Sequence, residues 1–418
     1  MPKKIKLKNG SLLLYIPVPH ANSTIIMANI KAGPRFDPVG KDGLSHFTEH
    51  MLFRGTKKYP SRQSLIKALE GNGSQIDAFS YNETNKYWIK CPKGREQNAI
   101  ENLLERLYYS LIKEKDVKEE KGVVKEEMNI LYSNPEKLIW EYWNQTIWEE
   151  NNLGRVYLGT EESIDSFTKK DVVSFINRYY IPKNISFIVA GDVKIEEIAK
   201  NFNQLSGDRQ SAPYQSYQSN KQQNHSSFNR IKVFKNKYSD TLNVALGFKT
   251  VSKKSEDRFA LDLISNYLAG GMSSKLRELV MKPGLTYSIE SITEYLSDMG
   301  YLVIKFSVNK SLIKKALKII RSEIYSLSEK CLDKDELMFI KNFYTGQSVI
   351  SMESPLDWAF YYADQLDSST TGNLISLNEK LQIISNISAN NLRNVSKKYF
   401  NENNCYITIL GNMNSDAL

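Results

Sequence analysis

The chain has 418 residues, 41% of them hydrophobic and 25% charged, a composition typical of globular proteins. Its length exceeds what one hydrophobic core usually supports, so we expect two domains. The net charge of +9 comes from lysines spread along the chain, without the basic block of a nucleic-acid-binding protein. No apolar run is long enough to cross a bilayer, and no signal-peptide pattern follows the charged start MPKKIKLKNG. We therefore expect a cytoplasmic protein that binds neither nucleic acid nor membrane.

The three cysteines, Cys91, Cys331 and Cys405, lie far apart in the sequence. No CxxC pair occurs among them. This spacing indicates neither a disulfide framework nor a cysteine-ligated zinc site.

The first half of the chain alternates between strand and helix patterns. Segments of alternating apolar residues, rich in β-branched and aromatic side chains, predict strands, and segments with a 3.6-residue period predict helices. The strands are predicted at 12–18, 24–33, 75–82 and 84–91, and the helices at 43–53, 61–71, 95–112 and 116–133.

The two halves of the chain resemble each other. Residues 168–192 align with 388–412 at an offset of 220, and 42–55 align with 257–270 at an offset of 215. A stretch rich in Ser, Gln and Asn separates the halves. We therefore predict an α/β (α+β) fold of two homologous domains, each a mostly antiparallel sheet with helices packed on it. The predicted boundaries are 1–206 for the N-terminal domain, 207–229 for the linker and 230–418 for the C-terminal domain.

The sequence HFTEH places two histidines and a glutamate on one predicted helix. His46 and His50 are four residues apart and share a helical face, which is the spacing at which two imidazoles can bind one metal ion. Glu49 borders that face. Taken alone, the pattern fits a structural histidine pair equally well. The second half has Leu261, Ile264 and Ser265 at the aligned positions, so we expect the function to lie in the first half.

The predicted helix at 116–133 offers a third metal ligand. Its stripe of Val117, Glu120, Val124, Glu127 and Leu131 puts two carboxylates on an otherwise apolar face. A carboxylate is costly to bury unless it is paired or bound to metal. We therefore interpret Glu127 as a functional residue.

The combined motif resembles a known family. GLSHFTEHMLFRGTKKYP followed by EEKGVVKEEMN is similar to the pitrilysin-type, inverted-motif zinc metallopeptidases, which include insulin-degrading enzyme and the mitochondrial processing peptidase. In that family 76 residues separate HxxEH from a ligating glutamate, and here that spacing leads to Glu127. A second family glutamate, seven residues earlier, corresponds to Glu120. The chain resembles the short, two-domain, bacterial-type members that are similar to processing-peptidase subunits.

The resemblance implies a metalloendopeptidase that cleaves peptides or unstructured protein segments. It implies zinc held by His46, His50 and Glu127, with a water in the fourth position and Glu49 as the general base. Glu120 is implied to support the site from outside the ligand set.

The resemblance also implies a substrate-binding edge strand at Asp77, Ala78, Phe79 and Ser80. An extended peptide adds to such an edge through main-chain hydrogen bonds. Relatives commonly have Asn-Ala-Tyr-Thr there, so Asp77 keeps an acceptor but loses the amide donor.

A second family feature is an arginine–tyrosine pair, seven residues apart, supplied by the second half. Tyr287 matches the tyrosine, but Val280 stands at the arginine position, and Arg277 lies ten residues before the tyrosine. We therefore expect a dimeric clamshell, either a homodimer or a heterodimer with a paralogous subunit that carries the complete pair. The alternative is a non-cleaving scaffold or binding subunit of the same fold. The complete HxxEH set argues against that alternative.

Overall fold

The computed structural model describes residues 2–149, 151–206, 230–236, 241–366 and 374–414. These residues form two compact units. The described residues of the first unit lie within Met1–Ile130, Arg155–Gln218 and Ser351–Leu374. Those of the second lie within Leu131–Gly154, Ser219–Ile350 and Ile375–Leu418.

The sheet of the first unit has six strands in the order β1-β2-β6-β3-β5-β4. Only the pair β2–β6 is parallel. The central strand β3, STIIMANI, is buried at every position after the first, because neighbouring elements cover both of its faces. The strands are β1 Lys3–Lys6, β2 Leu12–Pro17, β3 Ser23–Ile30, β4 Gln75–Ser80, β5 Asn85–Pro92 and β6 Ile185–Gly191.

The sheet of the second unit repeats this topology. Its order is β7-β11-β8-β10-β9, with one parallel pair, β7–β11, and with β9 at the edge that β4 occupies in the first sheet. The predicted fold class, two homologous and mostly antiparallel α/β domains, is confirmed. The strands are β7 Ile231–Lys235, β8 Thr241–Thr250, β9 Ser288–Tyr295, β10 Gly300–Asn309 and β11 Cys405–Gly411.

Helices pack on both sheets. Those of the first unit are α1 Leu44–Met51, α2 Arg62–Glu70, α3 Glu96–Tyr109, α4 Glu114–Tyr132 (whose last residues fall in the second unit), α6 Glu161–Ser166, α7 Lys169–Tyr179, α8 Ile195–Leu205 and α12 Pro355–Leu366. Those of the second unit are α5 Pro135–Ile147, α9 Asp257–Ala269, α10 Ile313–Glu329, α11 Lys334–Ile350, α13 Leu377–Asn386 and α14 Ala389–Tyr399. The strands and helices predicted for the first half are confirmed as β2 to β5 and α1 to α4.

One helix from each half of the sequence belongs to the unit built mainly from the other half. In the first unit, α12 packs on β3 and β6, with Ala359, Tyr362 and Ala363 buried against strand residues. In the second unit, α5 packs on β8 and β11, with Ile139 and Trp143 buried. The compact units therefore differ from the sequence halves by this pair of equivalent helices.

The predicted domain boundaries at residues 206 and 230 refer to the two homologous segments of the sequence, and they stay a prediction. The predicted linker, 207–229, lies outside the described residues. Within the described ranges, no helix is both long and apolar enough to cross a membrane. The cytoplasmic location stays a prediction.

A buried aspartate fixes the start of α1. Gly43 precedes the helix with a φ of 87° and has no side chain to cap it. The carboxylate of Asp37 instead accepts hydrogen bonds of 2.8 Å from the backbone N–H groups of Gly43 and Ser45. Arg155 donates to the carbonyl oxygen of Asp37 at 3.1 Å. Burial raises the pKa of Asp37 well above its usual range, although both backbone bonds favour the carboxylate.

We expect Asp37→Ala to lower the free energy of unfolding of the full chain by about 1–3 kcal/mol, because two buried N–H groups lose their acceptor. Chemical denaturation followed by circular dichroism measures this change. The matched control is Asp42→Ala, since the side chain of Asp42 is 26% exposed and its contact with Arg155 is 3.4 Å long. We expect Asp42→Ala to lower the free energy of unfolding by less than about 1 kcal/mol. Equal losses in the two variants would show that Asp37 does not cap the helix.

Candidate metal centre

The first two predicted ligands lie on consecutive turns of α1. The imidazole rings of His46 and His50 meet edge to face, with centroids 4.6 Å apart. The helix packs closely into the first unit, so the side chains are only 8% and 16% exposed. Their positions four residues apart put both rings on the same face, as the sequence predicts.

Glu127 on α4 brings a carboxylate to both rings. Its Oε2 lies 3.4 Å from Nε2 of His50 and 3.8 Å from Nε2 of His46. A tetrahedral zinc site with bonds of about 2.0–2.2 Å separates its ligand atoms by roughly 3.4 Å. The donor set and its spacing therefore fit one zinc ion. Among the described residues these three form the only cluster with such spacing, and their ligand atoms all lie within 4.8 Å of one another.

The two histidines have opposite protonation tendencies. Burial and the neighbouring His50 lower the pKa of His46 to about 3, so His46 is neutral at physiological pH and offers a lone pair. Burial alone would lower the pKa of His50 as well. The hydrogen bond with Glu120 and the charge of Glu127 outweigh burial and raise it. A metal ion that binds His50 must displace the proton that this pKa favours.

Glu120, about two turns before Glu127 on α4, contacts the ring nitrogen of His50 that does not face Glu127. Its Oε1 lies 2.8 Å from Nδ1 of His50, and its other oxygen accepts a hydrogen bond from Nε of Arg54. Burial alone would raise the pKa of Glu120, but the contacts with His50 and Arg54 lower it. A carboxylate on Nδ1 leaves Nε2 free for a metal and fixes the ring plane. The predicted supporting position of Glu120 matches this geometry, and its role stays a prediction.

We expect Glu120→Gln to weaken zinc binding by about 10–100-fold, because His50 loses the charged partner that orients it. Competition with a chromophoric zinc chelator measures the affinity. Glu119→Gln is the control, since Glu119 precedes it on the same helix, is exposed, and touches Arg54 only at 3.3 Å. A zinc affinity unchanged by Glu120→Gln would contradict the orienting role.

Glu49 lies on the same helix as the two histidines and is buried. Ser80 donates a hydrogen bond of 2.5 Å from its Oγ to Oε2 of Glu49. Burial raises the pKa of Glu49, while the bond from Ser80 limits the rise by favouring the carboxylate. The side chain of Glu49 therefore has an increased proton affinity and lies close to the ligands His50 and Glu127.

The predicted substrate strand, Asp77 to Ser80, falls in β4, which is an edge strand of its sheet among the described residues. Asp77 and Phe79 are exposed on one face, Ala78 is half-buried, and Ser80 is buried toward α1. Asp77 accepts a hydrogen bond of 2.8 Å from the backbone N–H of Ala78. All four predicted residues thus lie in the edge strand, and the side chain of Ser80 turns toward Glu49.

Tyr157 is a site residue that sequence reasoning missed. Its hydroxyl donates to the carbonyl oxygen of Ser80 at 2.9 Å, and its ring centroid lies 5.3 Å from that of His46. It belongs to an irregular segment between a short 3-10 helix at Asn152–Gly154 and α6, where no periodicity marks a functional position. Its proximity to the site arises from the way the chain returns after residue 155.

In the second unit, α9 has mostly apolar residues at the positions that align with His46, Glu49 and His50 of α1. Leu261 and Ile264 are fully buried, and Ser265 shares a hydrogen bond of 2.8 Å with Ser291. These side chains serve packing, which agrees with the expectation that the second half lacks the metal ligands.

The second unit also contains the predicted tyrosine. Tyr287 precedes β9 and is 63% exposed, while Val280 is fully buried. Arg277 directs Nη1 to the sulfur atoms of Met272 and Met281, at 3.6 and 3.5 Å. The roles of Tyr287 and Arg277 in substrate binding stay predictions.

Comparisons with known proteins agree with this architecture. A family described as "Insulinase (Peptidase family M16)" matches residues 15–161, and one described as "Peptidase M16 inactive domain" matches residues 166–344. An "Uncharacterized zinc protease" of Rickettsia felis is 27% identical over 404 residues, 94% of each chain. The beta subunit of the mitochondrial-processing peptidase of Bos taurus is 25% identical over 78% of this chain and 67% of that protein.

A solved structure shares the fold over almost the whole length. A protease from Helicobacter pylori superimposes with a TM-score of 0.88 over 98% of this chain and 99% of its own, at 23% identity. This likeness covers both homologous halves, and the two family matches lie within residues 15–344. The chain belongs to peptidase family M16.

Proposed function

We propose that the chain is a zinc-dependent endopeptidase that hydrolyses peptides or unstructured protein segments. The convergence of His46 Nε2, His50 Nε2 and Glu127 Oε2 carries the proposal, because two imidazoles and one carboxylate are a protein ligand set typical of catalytic zinc. The name "zinc protease" of the Rickettsia felis relative supports it.

A zinc ion supplies Lewis-acid chemistry when bound, since it lowers the pKa of water and polarises a carbonyl oxygen. The side chain of Glu49 accepts the proton released from the attacking water and returns it to the leaving amine. Burial raises the pKa of Glu49, which increases its affinity for that proton. Ser80 holds Oε2 of this carboxylate in place.

The substrate binds along β4 in this proposal. An edge strand offers main-chain N–H and C=O groups to an extended peptide, so recognition depends little on the peptide's sequence. A folded substrate cannot present such an extended segment, which restricts cleavage to flexible chains. Tyr157 fixes the carbonyl oxygen of Ser80 at the end of this strand, next to the metal ligands.

We further propose that the active form is a dimer. Val280 occupies the position of the family arginine and is buried, so this chain alone lacks the complete arginine–tyrosine pair. A paralogous subunit carrying that pair would complete the site. A homodimer would instead require another cation, such as Arg277, to replace it.

Cleavage of a quenched fluorescent peptide library by the purified, zinc-loaded chain tests the proposal. Cleavage that a chelator abolishes and zinc restores would support a self-sufficient peptidase. Cleavage that begins only after a paralogous subunit is added would support the heterodimer. A folded chain that binds zinc but cleaves no peptide in either arrangement would contradict the proposal and favour a non-cleaving subunit.

A further inference from the structure

The second unit contains a cavity of about 430 Å³ between α9, the segment that follows it, and α11. A volume of this size suits a small ligand or a few residues of a peptide. The cavity lies entirely within the second unit and includes none of the proposed zinc ligands or Glu49.

Aromatic side chains of α11 form one wall of the cavity. Phe339 and Phe343 are one helical turn apart, and their rings are nearly parallel, with an interplanar angle of 10° and centroids 6.4 Å apart. Phe339 is 52% exposed, so its ring is accessible from solvent. The ring of Phe343 also borders Gly271, where an added Cβ would lie 2.9 Å from the ring. The wall is thus apolar, aromatic and open to a ligand.

A buried hydroxyl group also lines the cavity. Ser274 is 6% exposed, and within the described part of the chain its Oγ has no hydrogen-bond partner. Buried polar atoms in proteins are almost always hydrogen-bonded. The hydroxyl of Ser274 is therefore available to a donor or acceptor on a ligand inside the cavity.

Acidic side chains dominate the rim. Glu278, Asp335 and Glu336 contribute three carboxylates, against the single ammonium of Lys275, which lies 3.6 Å from Glu336. This local excess of negative charge contrasts with the net charge of +9 for the whole chain. A lysine or arginine side chain suits both the acidic rim and the aromatic wall. Its charged group lies at the rim. Its apolar stem, or the flat guanidinium of an arginine, lies on the phenylalanine rings.

We propose that this cavity binds a short basic segment of a peptide, with an arginine or lysine next to an apolar residue. The charged group lies among Glu278, Asp335 and Glu336, and the apolar neighbour packs on Phe339 and Phe343. A backbone amide of the peptide donates to Oγ of Ser274. The site goes beyond the proposed peptidase activity and does not require it.

The test uses the full chain carrying Glu49→Gln, kept free of metal, so that the probe stays intact whether or not the peptidase proposal is correct. The probe is a fluorescein-labelled peptide containing Leu-Arg-Phe, and its partner contains citrulline, which has the shape of arginine without its charge. Fluorescence anisotropy at low salt measures both affinities. We expect the arginine peptide to bind about tenfold more tightly, because only its guanidinium forms charged hydrogen bonds at the rim.

Two variants assign that binding to the cavity. Glu278→Gln together with Glu336→Gln removes two rim charges from exposed or half-exposed positions, and we expect it to abolish the preference for arginine. Glu256→Gln is the control, since Glu256 is an exposed acid of the same unit outside the cavity. Equal binding of the two peptides, or an arginine preference that survives the double substitution, would overturn the proposal.

A photo-crosslinking version of the arginine peptide locates the complex without any substitution near the site. We expect mass spectrometry to find the crosslink within 266–278 or 335–343. Crosslinks confined to other segments would also overturn the proposal.

Discussion

Replacing Glu49 by glutamine is expected to reduce kcat/KM for peptide cleavage by about 10²–10⁴-fold, the range that a positioned general base contributes. Glutamine preserves the shape of the side chain and can still accept the hydrogen bond from Ser80, so the local structure is retained. It cannot take up a proton. Zinc binding should remain close to that of the unchanged chain, because Glu49 is not one of the three ligands.

The experiment measures cleavage rate and bound zinc on the same preparation. Glu70→Gln serves as the control, since Glu70 is an exposed glutamate at the end of α2. Cleavage at the normal rate by the Glu49→Gln chain would show that Glu49 is not the general base. Loss of zinc together with activity would show instead that Glu49 supports the metal.

The second large effect is expected at the third ligand. Glu127→Gln should weaken zinc binding by more than about 100-fold, since even residues that only support a ligand contribute 10–100-fold. The carboxylate lies 3.4 and 3.8 Å from the two imidazole nitrogens, and among the described residues it is the only carboxylate in this cluster. Competition with a zinc chelator, followed by elemental analysis, measures the change.

The adjacent residue provides the matched control for this substitution. Glu126 has the same side chain on the same helix but is exposed. Glu126→Gln should therefore leave zinc binding unchanged. If both variants bound zinc equally well, the ligand assigned by the sequence spacing would be wrong.

The sequence predicted the framework of this site because each part has a strong local signal. Residues four apart share a helical face, which brings His46 and His50 together. A glutamate that interrupts an apolar stripe indicated Glu127 and Glu120, and in the structure Glu120 is buried while Glu127 meets both histidines. The alternation of 75–82 indicated the strand that the fold places at a sheet edge.

Other features have no local signal. The cap that Asp37 provides joins residues six and eight positions apart through an irregular turn, which a periodic pattern does not encode. The contact of Ser80 with Glu49 depends on the position of β4 beside α1. Tyr157 reaches the site by a long return of the chain. Such contacts are set by tertiary packing and not by local periodicity.

The placement of α5 in the second unit and of α12 in the first unit also has no local signal in the sequence. Both helices have a buried face, and they follow the equivalent helices α4 and α11 in the two halves. In the structure α12 buries its face against strands of the first half, and α5 buries its face against strands of the second half. Sequence alone does not select between these two partners.

X-ray absorption spectroscopy at the zinc edge, on the purified chain loaded with one equivalent of zinc, tests the central claim most directly. The predicted result is a first shell of nitrogen and oxygen atoms at about 2.0–2.2 Å. The outer-shell scattering should correspond to two imidazole rings in the unchanged chain and to one ring in His50→Ala. A sulfur shell at about 2.3 Å, or a spectrum unchanged by His50→Ala, would contradict a zinc centre built from His46, His50 and Glu127.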